Sequence, residues 1–168
     1  MTAGFLTLGA CTVAFARALD RRLMPDPGVG PALLGTAGVA TLAAGAFRRD
    51  RRSNLLFPGE AAPVAQSLEN DVHDTAAVAV AVTGTAGLLA LATRLAREPG
   101  LASLAPGAVA AAVTSLGLSA WFLRDVVRPW NGIVQRVSVT VPLAFMAHVA
   151  ARLLREPHAL RRAPGRSP

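Results

Sequence analysis

Five apolar blocks constrain this chain more than any other feature. They cover residues 3–19, 29–47, 75–95, 105–123 and 130–154, and the charged residues fall mostly between them. Each block is close to the ~20 residues that a helix needs to cross roughly 30 Å of hydrocarbon. Backbone facing lipid must satisfy its own hydrogen bonds, so the blocks read as helices. A membrane β-barrel would alternate apolar and polar residues, and these blocks do not. The expected fold is all-α: a polytopic transmembrane helical bundle of five membrane-spanning helices over residues 1–154. A basic, disordered cytoplasmic tail is expected over 155–168.

Composition fits lipid as the solvent. Of 168 residues, 52% are hydrophobic and only 16% charged, low for a soluble domain of this length. The net charge is +7, and all 17 basic residues are arginine. In a soluble protein such a balance would suggest nucleic acid. Here the arginines flank the blocks, where they hold membrane spans in one orientation, so no nucleic-acid partner is expected. One cysteine, Cys11, excludes an intrachain disulfide and a Cys/His metal cluster. The stretch "LTLGAC" is a poor lipoprotein cleavage site, lacking a basic segment before it and continuing as apolar sequence. A buried free cysteine in a helix is the expectation.

Three connectors are short and marked by Pro or Gly, as expected at helix ends. The second in chain order, residues 48–74, is the one long connector, and long loops are often functional. Arginine counting sets the orientation. Ten arginines lie on the side carrying the first and third connectors and the tail, and six on the other side. That places the C-terminus in the cytoplasm and the N-terminus outside. The cluster Arg48–Arg52 runs against this count. Small residues recur every four positions in three blocks: Ala37, Thr41 and Gly45; Ala79, Thr83 and Gly87; Gly107, Ala111, Ser115 and Ser119. Such stripes let helix backbones approach closely.

The polar residues of interest gather near the outer boundary: Glu60, Asp71, His73, Asp74, Gln135 and Arg136. Arg136 enters the last span about four residues in, roughly one to two turns below the surface. An arginine at that depth costs several kcal/mol unless it is paired or can snorkel. Asp74 or Asp71 is the partner the depths suggest. Two plainer readings stand beside it: Arg136 reaches outward to headgroups, and the acids cap a helix, with Asn70 or Asp71 as N-cap. A haem fails on depth, because His148 lies twelve residues beyond Arg136, about 18 Å along the helix. His148 is expected at a helix interface. No cofactor is expected, and no GxSxG, P-loop, HExxH or strand-borne GxGxxG signature occurs. Ser138 and Thr140 read as ordinary helix residues, and Pro142 as a tolerated break.

"FPGE" in the long connector, "HD" at the next span and "GIVQR" opening the last one resemble the bacterial membrane family known as domain of unknown function 998. The resemblance runs from about Gly4 to Leu154 and is carried by Phe57, Pro58, His73, Gln135 and Arg136. It implies an outer loop and an inner C-terminus. It also implies six helices, so this chain starts at the family's second helix, and Glu60 stands where the family has aspartate. It implies no activity. The expected function is a non-catalytic accessory or envelope-associated membrane bundle with an outward-facing polar pocket. The alternative is a small transporter or lipid-acting enzyme that uses an Arg/His/Asp pocket for an anionic ligand. Membrane lipids, a second copy or a partner membrane protein are the expected partners, and the tail arginines could meet anionic inner-leaflet lipids.

Overall fold

The structure, a computed structural model, describes residues 2–23, 28–47, 67–124 and 130–155. Five α-helices account for nearly all of them: α1 (Thr2–Arg22), α2 (Val29–Ala46), α3 (Leu68–Leu95), α4 (Ala105–Arg124) and α5 (Asn131–Arg155). A single 3-10 turn, Ala102–Leu104, leads into α4. All five helices are long and apolar enough to cross a membrane. The chain is a polytopic, all-α membrane bundle.

Helix boundaries follow local chemistry more than hydropathy. The apolar run of the third block begins at Thr75, yet α3 begins seven residues earlier, at Leu68. Ser67 is the N-cap: its Oγ accepts the Asn70 backbone N–H at 3.2 Å. This replaces Asn70 or Asp71, the N-cap expected from sequence, and puts Glu69 and Asp71 in the first turn, where acids suit the helix dipole. The prolines Pro31 and Pro106 fall in the first turns of α2 and α4, where a missing N–H costs nothing. Pro142 is different, since it lies in the middle of α5.

The helices run up and down in sequence order, and extensive packing joins each only to its neighbours: α1 to α2, α2 to α3, α3 to α4 and α4 to α5. The rim helix α5 has 17% of its span buried, against 44% for α2, which is packed on two sides. Two ends can be named from this alternation. The N-end carries the N-termini of α1, α3 and α5, and the C-end carries their C-termini. The main hydrophobic core lies wholly toward the C-end. Leu19, Leu34, Leu88, Leu91, Leu95, Leu101, Ala108, Ala112 and Val149 are all at most 3% exposed there.

Small residues set the interfaces. Ala37, Thr41 and Gly45 are all buried, as is Gly38 beside them. A Cβ added at Gly9 of α1 would stand 2.8 Å from the Gly38 carbonyl and 2.9 Å from the Leu42 nitrogen. The two backbones therefore touch, and only glycine fits at the crossing. The buried hydroxyls of Thr12 and Thr41 turn back to carbonyls of their own helices, at 2.9 Å to Leu8 and 2.8 Å to Ala37. Hydroxyls satisfied in this way can face a neighbouring helix at small cost.

Ser115, from the stripe on α4, does more than make room. Pro142 has no N–H, so the carbonyl of Ser138, four residues earlier, loses its helical donor. The Ser115 hydroxyl supplies one across the interface, donating to the Ser138 carbonyl at 2.7 Å. Ser138 is 5% exposed, and its own hydroxyl donates to the Gln135 carbonyl at 2.8 Å. Ser138 is thus the point where α5 docks on α4. No buried side-chain nitrogen or oxygen among the described residues lacks a hydrogen-bond partner.

Candidate functional site

The N-end of α3 carries the densest polar chemistry. Asn70 is fully buried there, at 0% exposure. Its backbone N–H is held by the cap Ser67, and its side-chain amide donates to Asp74 Oδ2 at 3.1 Å. The spacing explains the bond, since residues four apart lie on one helix face. An apolar membrane helix can bury this amide and place a carboxylate beside it because each serves the other.

His73 ties this end of α3 to α2. Its Nδ1 lies 2.8 Å from the Ala44 carbonyl and 3.2 Å from the Phe47 carbonyl. Carbonyls only accept, so Nδ1 carries the proton and donates to both. The last turn of a helix leaves carbonyls without intrahelical donors. The imidazole caps the end of α2 in just that place. Phe5 of α1 meets the ring edge-on, with centroids 6.2 Å apart. One side chain of α3 therefore touches the ends of both preceding helices. This leaves Nε2 as the ring nitrogen available for other partners.

Of the remaining residues of interest, those the structure describes are exposed. Asp71 is exposed on the first turn of α3. Glu60 lies outside the described residues. Gln135 and Arg136 are exposed on α5, whereas Val134 and Ser138 beside them are buried. At 3.6 residues per turn, Arg136 sits about 200° around α5 from Val134, on the flank facing away from α4. Among the described residues no ion pair joins Arg136 to Asp71 or Asp74, and α3 and α5 do not pack extensively. The partner suggested by equal depth is not supplied, because depth says nothing about rotation around the helix.

Two further expectations are corrected for the same reason. Cys11 is exposed rather than buried: α1 packs through Gly9, Thr12, Ala16 and Leu19, and Cys11 falls off that stripe. His148 is exposed rather than at an interface, because α5 packs through Val149 and Leu153. At the N-end corner between α4 and α5, Trp121 and Trp130 form an edge-to-face pair, with centroids 5.2 Å apart and planes at 88°. Both are partly exposed, as befits indoles at a membrane–water boundary.

Asn70 and Ser67 are the site residues that sequence reading undervalued. The signals were present: a serine three residues before Asn70, and an aspartate four residues after it. No group of three or more metal-ligating side chains is assembled among the described residues. Comparison with curated proteins and with solved structures gave no match. The sequence profile of the family described as "Protein of unknown function (DUF998)" matches residues 1–152. Nearly the whole bundle, from α1 to the last turn of α5, lies within that match, and the chain belongs to the DUF998 family.

Proposed function

We propose that this chain is a non-catalytic membrane bundle, an accessory or envelope-associated protein of the bacterial plasma membrane. Its N-terminus and the long connector face outward and its C-terminus faces the cytoplasm. The outward face carries Glu60, Asp71, His73, Asp74, Gln135 and Arg136. The observation that supports a structural reading is the engagement of His73. Its Nδ1 proton is spent on the two carbonyls at the end of α2, as a helix clasp would require. A transporter or enzyme built on an Arg/His/Asp pocket needs Arg136 to converge on His73 and Asp74. The lipid-facing flank of α5 is a poor place from which to do so.

The test compares His73→Asn with His73→Ala. An asparagine amide can stand in for the Nδ1 donor but cannot carry protons. In a clasp, Asn retains most of the thermal stability in detergent and Ala loses about 1 kcal/mol. In a proton-handling site the two variants behave alike in a proteoliposome proton-flux assay, both abolishing a flux seen with the natural protein. Such a flux would overturn the proposal. Orientation is tested separately, by labelling single cysteines placed in the long connector with a membrane-impermeant maleimide on intact cells in a Cys11→Ala background.

A further inference from the structure

The outer flank of α5 carries a charge that is joined to no acid among the described residues. Arg136 is exposed, on the side opposite buried Val134 and Ser138. One turn toward the N-end on the same flank stands Gly132, which is exposed and has nothing among the described residues within 4 Å of where a Cβ would be. Helical side chains lean toward the helix N-terminus, so the Arg136 side chain leads toward the Gly132 turn. Its reach is comparable to the rise of one turn, which brings the guanidinium near the level of Gly132. The Trp121–Trp130 pair sits at the same end of the helices and marks the headgroup level. Below Arg136, toward the C-end, the flank is apolar or nearly so: Val139 and Thr140, both exposed, then Leu143.

We infer that this flank of α5 holds the phosphate of an anionic phospholipid in the N-end leaflet. The order along the flank is a glycine without a side chain, a guanidinium and then an apolar track. A phospholipid presents the complementary order, with a phosphate at headgroup depth and an acyl chain beneath it. The guanidinium fork gives two parallel N–H donors to two phosphate oxygens. A soluble anion would match the charge but leave the apolar track exposed to its own solvent. This goes beyond the accessory role proposed above and does not depend on it.

The test uses the full chain reconstituted in vesicles of equal parts phosphatidylglycerol and phosphatidylcholine, extracted and examined by native mass spectrometry. The natural protein is expected to retain phosphatidylglycerol over phosphatidylcholine. Arg136→Gln lowers that retention about tenfold, as loss of a charge-assisted pair implies. Arg136→Lys gives an intermediate value because it lacks the fork. Gly132→Leu sets a side chain beside the guanidinium without changing charge, obstructs the phosphate and lowers retention as well, so the inference does not rest on one variant that could fail to fold. Equal retention of the two lipids by the natural protein overturns the inference. So does unchanged retention in Arg136→Gln or Gly132→Leu. A dimer that becomes a monomer in Arg136→Gln, with lipid retention unaltered, would assign the flank to a second copy instead.

Discussion

Replacing Ser115 by alanine removes a single hydroxyl, and its effect isolates how α5 tolerates a proline at its centre. In the native bundle the Ser138 carbonyl is paired only because Ser115 donates to it at 2.7 Å. Interhelical hydrogen bonds in membrane proteins average ~0.6 kcal/mol and reach ~1.7 kcal/mol, because a broken partner usually finds another. Here the usual fallback is missing, since Pro142 has no N–H. Lipid offers no donor either, and a buried unpaired acceptor costs about 1–3 kcal/mol. We therefore expect Ser115→Ala to cost about 1–1.5 kcal/mol, toward the top of the membrane range. For a chain of this size that is a fall of about 3–5 °C in thermal midpoint. The decisive measurement is a double-mutant cycle with Pro142→Ala, read by reversible unfolding in mixed micelles. Restoring the N–H at 142 gives Ser138 a donor within its own helix, so Ser115→Ala should then cost only ~0.3 kcal/mol, a coupling of about 1 kcal/mol. If Ser115→Ala costs the same in both backgrounds, the hydroxyl is not substituting for the missing amide and the reasoning fails.

Two other substitutions test the packing and the cap. Gly9→Ala or Gly38→Ala must push the α1 and α2 backbones apart and should cost about 1–3 kcal/mol, whereas Gly117→Ala, which meets nothing within 4 Å, should change the melting midpoint little; equal effects would refute the close crossing. Ser67→Ala removes the N-cap of α3 and should cost about 1 kcal/mol, with faster amide exchange confined to the first turn; protection unchanged at Asn70 would show that the cap is not formed.

What could be read from the sequence was the number of spans and the extent of most of them. Four of the five blocks lie within a few residues of helices α1, α2, α4 and α5, because hydrocarbon thickness sets both the apolar run and the helix. Helix α3 departs from its block because a cap, not hydropathy, starts it. Rotation about each helix was not legible. A membrane helix is apolar on the faces meeting lipid and on those meeting protein, so hydrophobic periodicity carries little signal. Arg136, Cys11 and His148 all illustrate this: each was expected to pair or pack within the bundle, and each is exposed. The small-residue stripes fared better, since close backbone approach needs glycine or alanine whatever the solvent. The Ser115–Ser138 bond was readable in principle. A proline predicts an orphaned carbonyl four residues earlier, and a serine on a stripe of the preceding helix is an obvious donor.

The serial packing of the helices bears on how the bundle assembles. Each helix makes its extensive contacts with the one made just before it, so every docking partner is already in the bilayer when a new span enters. Contacts near in sequence close short loops and pay little entropy for doing so. Helix α2 can seat on α1 through the Gly9–Gly38 crossing as soon as it inserts, and α3 can then clasp the end of α2 with His73. The Ser138 carbonyl of α5, the last span, enters the bilayer with Ser115 already waiting on α4. Insertion order and folding order coincide, since each span from α2 onward finds its preceding docking partner already in place.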